Sequence, residues 1–223
     1  MARPVKRGYD TRRRQAQARE TQAHIADAAR ALFVERGWVA TSVRDIADRA
    51  GVSVQTIYNA FEGGKAAIFR RVMDIVVVGD DEPVAMSDRP EYQAMLEAED
   101  PSEHLSIGIG LNVALLQRME PLMPTIREAV AADPAIAEAW RANYGQNRHA
   151  GMATSMTRLA ELDALRPGVD VVRATDIMWT ILSVESYEAL VIARGWAPDG
   201  FADWVLDTLQ TTLLRPARSR RSP

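Results

Sequence analysis

Cysteine is missing from all 223 residues, which removes disulfides and thiolate zinc sites together. Histidine is scarce: His24, His104 and His149 stand far apart, and no H-E-x-x-H helix brings two of them to one metal. Neither a Walker-A loop nor a G-x-G-x-x-G turn is present, so the usual phosphate cradles of nucleotide enzymes are lacking. The carboxylates Asp80, Asp81, Glu82 and Glu103 fall in an acidic stretch of a kind more often solvated than catalytic. The chain therefore reads as a non-enzyme, with neither cofactor nor metal. No apolar run approaches the roughly eighteen uncharged residues of a membrane span. The basic start MARPVKRGYDTRRR is not followed by the apolar region of a secretory signal. A cytoplasmic protein is the expectation. No stretch alternates apolar and polar residues well enough for a sheet, and no internal repeat is visible, which leaves an all-α fold.

What is present is unevenly spread. Net charge is −3, yet residues 1–74 hold 14 Lys/Arg against 8 Asp/Glu, while residues 75–223 hold 13 against 22. A basic front on an acidic body suits a protein that offers one end to phosphates, although charge also varies along any chain by chance. Apolar residues at spacings of three and four predict a first helix from Thr11 or Arg12 to Arg36, closed by Gly37. Ser42 can cap a second helix, with Asp45 reaching back to it, and Val43, Ile46, Ala47 and Ala50 form its stripe. Gly51-Val52-Ser53 ends that helix and caps a third, which carries Ile57 and Phe61 inward and stops at Gly63-Gly64. A fourth runs from Lys65 to about Val78. The acidic stretch from Gly79 to Asp100 reads as a loop or short irregular helix. Asp100-Pro101 and Asp133-Pro134 each pair an N-cap with proline at the first helical position, opening helices over 101–119 and 134–163, with a shorter one over 125–132 between them. Two last helices are expected over 170–194 and 199–214, before a basic tail with Arg218, Arg220 and Arg221.

Two short helices joined by a three-residue turn are the anatomy of a helix-turn-helix, or equally of a helical hairpin that binds nothing. Small Ala47 lets the two pack closely. The second would expose Val54, Gln55, Thr56, Tyr58 and Asn59. Gln55 and Asn59 can pair bidentately with adenine, worth about 1–3 kcal/mol per good contact. The hydroxyls of Thr56 and Tyr58 suit phosphate oxygens, with packing against the first helix as the other reading for Tyr58. Arg12-Arg13-Arg14 could enter a minor groove or meet phosphates as an arm, or be solvated.

The segment TSVRDIADRAGVSVQTIYNAFEGGKAAIF, with the lead-in Leu32, Phe33 and Gly37, resembles the DNA-binding domain of the TetR family of regulators. The family pattern I-A-x-x-A-G-V-S-x-x-T-x-Y-x-x-F, followed soon by a lysine, stands here at Ile46 to Phe61 and Lys65, with Thr41 and Ser42 at the upstream hydroxyl positions. One departure is visible. Three residues, Glu62-Gly63-Gly64, separate Phe61 from Lys65, where the family more usually has two. The resemblance implies an N-terminal three-helix DNA-binding domain over residues 1–78 and a helical effector-binding and dimerisation domain over 79–223. It implies that Ser42 and Arg44 approach the backbone or a groove edge, that Ser53, Gln55, Thr56, Tyr58 and Asn59 line the major groove, and that Lys65 meets a phosphate at the start of helix four.

It implies further partners: double-stranded DNA with a palindromic operator, a second copy of the chain, and a small-molecule effector that releases a repressor. A dimer would use Ile177, Met178, Ile181, Leu182, Val184 and Leu190 with Phe201, Trp204, Val205 and Leu209, although the same faces could form an intramolecular core. Met119, Met123, Trp140, Tyr144, Asn147, Met152 and Trp179 are the candidate ligand residues, Met and aromatics being able to shape an adaptable pocket, or simply core. A ligand-independent regulator and a helical protein-interaction module that keeps only the motif's shape are the alternatives.

Overall fold

A computed structural model describes residues 6–82 and 84–216, with side chains from residue 16 onward. All regular structure among the described residues is helical, apart from one isolated antiparallel bridge between Leu165 and Leu214. The chain divides into two compact units: the first comprises 1–81 together with 121–139, the second 82–120 together with 140–223.

In the first unit α1 (Lys6–Arg36), α2 (Val43–Ala50), α3 (Val54–Ala60) and α4 (Gly64–Val78) are joined by α7 (Met123–Ala132) from the middle of the chain. Helix α1 begins several residues earlier than its apolar periodicity indicates. Arg12, Arg13 and Arg14 thus belong to a helix rather than to a loose arm, their side chains lying outside the described residues, as does the basic tail. The core takes Ile25, Ala29, Leu32 and Phe33 from α1, Ile46 and Ala47 from α2, Ile57 from α3, and Ile68, Phe69 and Val72 from α4. Phe33, Trp38 and Phe69 form an aromatic triangle with centroids 5.3 to 5.9 Å apart. Helix α7 is tied in by polar contacts that no local pattern announces. Buried Thr125 donates its hydroxyl to the Phe33 carbonyl at 2.6 Å, and the Glu128 carboxylate accepts the Val39 N–H at 3.1 Å. Gly37 (φ +78°) is required there twice over: its conformation is left-handed, and a Cβ would sit 2.8 Å from a Glu128 oxygen.

The second unit holds α5 (Pro90–Glu97), α6 (Pro101–Met119), α9 (Arg148–Glu161), α10 (Val171–Ile181), α11 (Val184–Tyr187) and α12 (Pro198–Leu213), and α8 (Pro134–Trp140) carries the chain into it. The stretch 134–161 is one helical run whose middle, Arg141–Asn147, is π-wound. The single helix expected over 170–194 is broken. Ser183 leaves helical geometry and accepts the Ser186 N–H, and a second π segment, Glu188–Ile192, follows α11. The stretch after Gly79 contains α5 and a 3₁₀ turn at Met86–Asp88. Helix α12 packs on α6, and α10 on α9. Met178, Leu182, Val184, Phe201, Val205 and Leu209 are fully or almost fully buried within this chain, so they are core residues rather than a free dimer face. Ile177, Ile181, Leu190 and Trp204 remain half-buried.

Candidate nucleic-acid interface

The helix-turn-helix is set by its caps. Ser42 accepts the Asp45 N–H at 3.1 Å, while Asp45 accepts both the Ser42 N–H at 2.8 Å and its hydroxyl at 2.5 Å, a complete capping box. These bonds hold the Asp45 carboxyl below its usual range, the Ser42 hydroxyl contributing most. Gly51 closes α2 in the left-handed conformation. Ser53 caps α3, accepting the Thr56 N–H at 3.0 Å, and its hydroxyl lies 2.8 Å from that of Thr56. Two residues that the apolar periodicity does not mark hold the motif against α1: Gln22 donates to the Ala60 carbonyl at 2.7 Å, and the His24 Nε2–H donates to the Ala50 carbonyl at 2.9 Å. Each fastens the C-terminal end of one helix of the motif.

Buried Ile57 and Phe61 anchor α3, and the opposite side is open. Val54, Gln55, Tyr58 and Asn59 are exposed and Thr56 is half-buried. Gln55 Nε2 donates to Asn59 Oδ1 at 2.9 Å, so the two amides that can read bases are aligned one turn apart. Tyr58 leans toward Gly64, where a Cβ would come within 3.1 Å of its ring, and keeps 52% of its surface exposed. That close approach accounts for a glycine at the extra position before Lys65. Ser42 and Arg44 are exposed at the start of α2, beside a surface network in which Arg49 pairs with Glu35 at 2.6 Å.

Lys65 is placed otherwise than its position at a helix start suggests. Its ammonium donates to the Trp38 and Thr41 carbonyls, both at 2.9 Å, and lies 4.1 Å from the centroid of the Trp38 ring. Burial lowers its pKa, opposed by the nearby Glu128 carboxylate. It braces the α1–α2 turn from within.

Residues 25–72 match the model of the bacterial regulatory proteins of the tetR family. The helix-turn-helix segment is thus similar to the DNA-binding domain of that family. The segment is also similar to the HTH-type transcriptional repressor BdcR of Escherichia coli (strain K12), 36% identical over 73 residues, which are 31% of this chain and 36% of that protein. The chain thus matches little more than a third of that relative's length. The fold likeness reaches further. SmeT, the repressor of the Stenotrophomonas maltophilia multidrug efflux pump SmeDEF, superposes with a TM-score of 0.63 over 87% of this chain and 90% of its own, at 18% identity. A TetR transcription regulator from Haloarcula marismortui gives 0.65 over 88% and 99%, at 14% identity. The likeness of fold to these proteins therefore extends over most of this chain.

The residues singled out for ligand binding stand in different surroundings. Met119, Met123 and Met152 are buried core residues, and Met123 belongs to the first unit. Asn147 is exposed and donates to Asn143 at 3.3 Å. Trp140, Tyr144 and Trp179 do come together: Trp140 stacks on Tyr144 with centroids 4.5 Å apart, and Tyr144 lies 5.9 Å from Trp179. No helix among the described residues is long and apolar enough to cross a membrane.

Proposed function

We propose that the chain is a sequence-specific DNA-binding transcriptional repressor that binds a palindromic duplex as a homodimer and is released by a small molecule. The observation that carries DNA binding is the exposed strip from Val54 to Asn59, held rigid from beneath by Ile57 and Phe61 and carrying the paired amides of Gln55 and Asn59. Ser42, Arg44, Ser53 and Thr56 surround it as backbone-contacting groups, and Tyr58 lies at its margin. One such helix reads few bases, so two copies with half-sites about 34 Å apart are the natural arrangement. Support for the second copy comes from apolar surface in the second unit: Ile192 and Trp196 are exposed, and Trp196 meets half-buried Trp204 edge to face at 6.2 Å. SmeT, of the same fold, exists as a triclosan complex, which supports a small-molecule effector held by the second unit. Acting on DNA, the protein would work in the cytoplasm.

Selection of bound duplexes from a random pool tests the reading. A two-fold symmetric consensus whose affinity falls steeply with salt is the expected result. Recovery of no consensus, with weak salt-insensitive binding, would leave a helical interaction module that keeps only the motif's shape.

A further inference from the structure

The second unit buries a cation among aromatic rings. The Arg148 guanidinium lies 5.2 Å from the Tyr144 ring centroid and 5.0 Å from that of Trp179, and its Nη2 donates to the Leu182 carbonyl at 2.5 Å, where α10 ends. Nε and Nη1 are buried with no acceptor among the described side chains or backbone. Arg148 is thus bonded to the helix break at Leu182-Ser183. On the outer side of Trp179 a groove of about 540 Å³ opens, lined by Arg141, Gly145, Gln146, His149 and Ala150. His149 meets Trp179 at 5.6 Å and stands 3.4 Å from Asp176, and exposed Glu185 is near enough to be felt by Arg148.

These features select a ligand chemistry. Aromatic faces that meet at such distances commonly hold a cation, but here the protein's own guanidinium occupies them, so a cationic ligand would meet a like charge. Arg141 and His149 line the groove and offer it N–H donors, and the Arg148 guanidinium, packed against the Trp179 ring, adds positive charge behind that wall. A carboxylate is the planar acceptor that fits a guanidinium fork. The wall presented beside it is the flat indole of Trp179. Two π-wound segments flank the cluster, a winding that recurs at functional sites.

We infer that the groove over Trp179, rimmed by Arg141 and His149 and backed by Arg148, binds a small organic acid with a flat apolar body. This rests on the effector reading proposed above and names its chemical class. Calorimetric titration of the full chain with 2-naphthoate, 2-naphthamide and a naphthylmethyl-trimethylammonium salt tests it. The acid should bind saturably and the amide at least about tenfold more weakly, with no heat from the ammonium salt. Arg148→Gln removes the charge behind the wall and should weaken acid binding. Because Arg148 also braces Leu182, Arg141→Gln at the exposed rim and Trp179→Leu in the wall are measured beside it, each checked for an unchanged helical spectrum, and both should weaken the acid at least about tenfold. Equal binding of acid and amide, absence of saturable acid binding, or indifference of the folded variants would overturn the inference. Its fate is separable from that of the effector reading. Acid binding that leaves affinity for the selected duplex unchanged keeps the site and removes its regulatory role. A neutral or cationic compound that releases DNA from Arg148→Gln as well as from the parent keeps the effector reading and removes this site.

Discussion

Lys65→Met separates a brace from a phosphate contact. Methionine keeps an unbranched apolar stem against Trp38 but removes the ammonium from the Trp38 and Thr41 carbonyls. The Trp38 carbonyl retains a second donor, the Thr41 N–H at 3.3 Å, so its loss is partly covered. The Thr41 carbonyl keeps no such replacement, and a hydrogen bond from a charged donor is worth about 1.5–3 kcal/mol. The contact over the Trp38 ring adds about 0.5–1 kcal/mol. Against these stands the burial that lowers the Lys65 pKa, a cost the variant no longer carries, and the group remains partly solvated. The net expectation is a loss of about 2 kcal/mol. Urea denaturation followed by circular dichroism measures it as a lower midpoint at unchanged slope, alongside the salt dependence of duplex binding. A brace predicts lost stability with the logarithmic salt slope preserved. A phosphate contact predicts full stability with the slope reduced by about 0.9, and that outcome would refute the internal role assigned to Lys65.

Gln55→Ala and Asn59→Ala should each cost about 1–3 kcal/mol in binding the selected duplex while leaving random-sequence binding nearly unchanged, as read by competition binding; equal losses on both duplexes would mean that another face reads the bases. Gly37→Ala forces a Cβ into a left-handed position 2.8 Å from the Glu128 carboxylate, and should lower stability by about 1–3 kcal/mol in urea titration, more than Ala at an ordinary surface glycine. His104 is fully buried with both ring nitrogens bonded at 2.7 Å, to the Met95 carbonyl and the Ser155 hydroxyl, and burial lowers its pKa from 6.5. The unfolded chain therefore binds the proton first, so stability is unaffected by this group above about pH 7 and falls as pH drops below about 6.5, by at most about 1.4 kcal/mol per unit. His104→Gln should flatten that part of the urea-midpoint profile, and an unchanged acid slope would assign the effect to other groups.

Features closed within a few residues were readable from sequence. The Ser42–Asp45 box, the Ser53 cap, and the Asp100 and Asp133 caps before proline each span no more than three positions, and each forms with the bonds its residue types allow. The exposed strip followed from the same economy, since burying Ile57 and Phe61 in a short helix turns Gln55 and Asn59 outward. What sequence could not supply is which distant group claims a given polar atom. Arg148 takes the Leu182 carbonyl across 34 positions, and with the Ser183 cap it marks a break inside an otherwise continuous apolar pattern. Lys65 turns inward because two carbonyls more than twenty residues back offer better partners than its own helix. Periodicity says that Met178, Val205 and Leu209 are buried, but not whether by this chain or another.

The same long-range bonds change how a signal could travel. Because Thr125 and Glu128 fasten α7 to the Phe33–Val39 corner, residues 121–139 fold with the helix-turn-helix unit, and the chain passes between the units at 81/82, 120/121 and 139/140. The last crossing leads directly into the π-wound Arg141–Asn147 segment, which carries Tyr144 and is followed at once by Arg148.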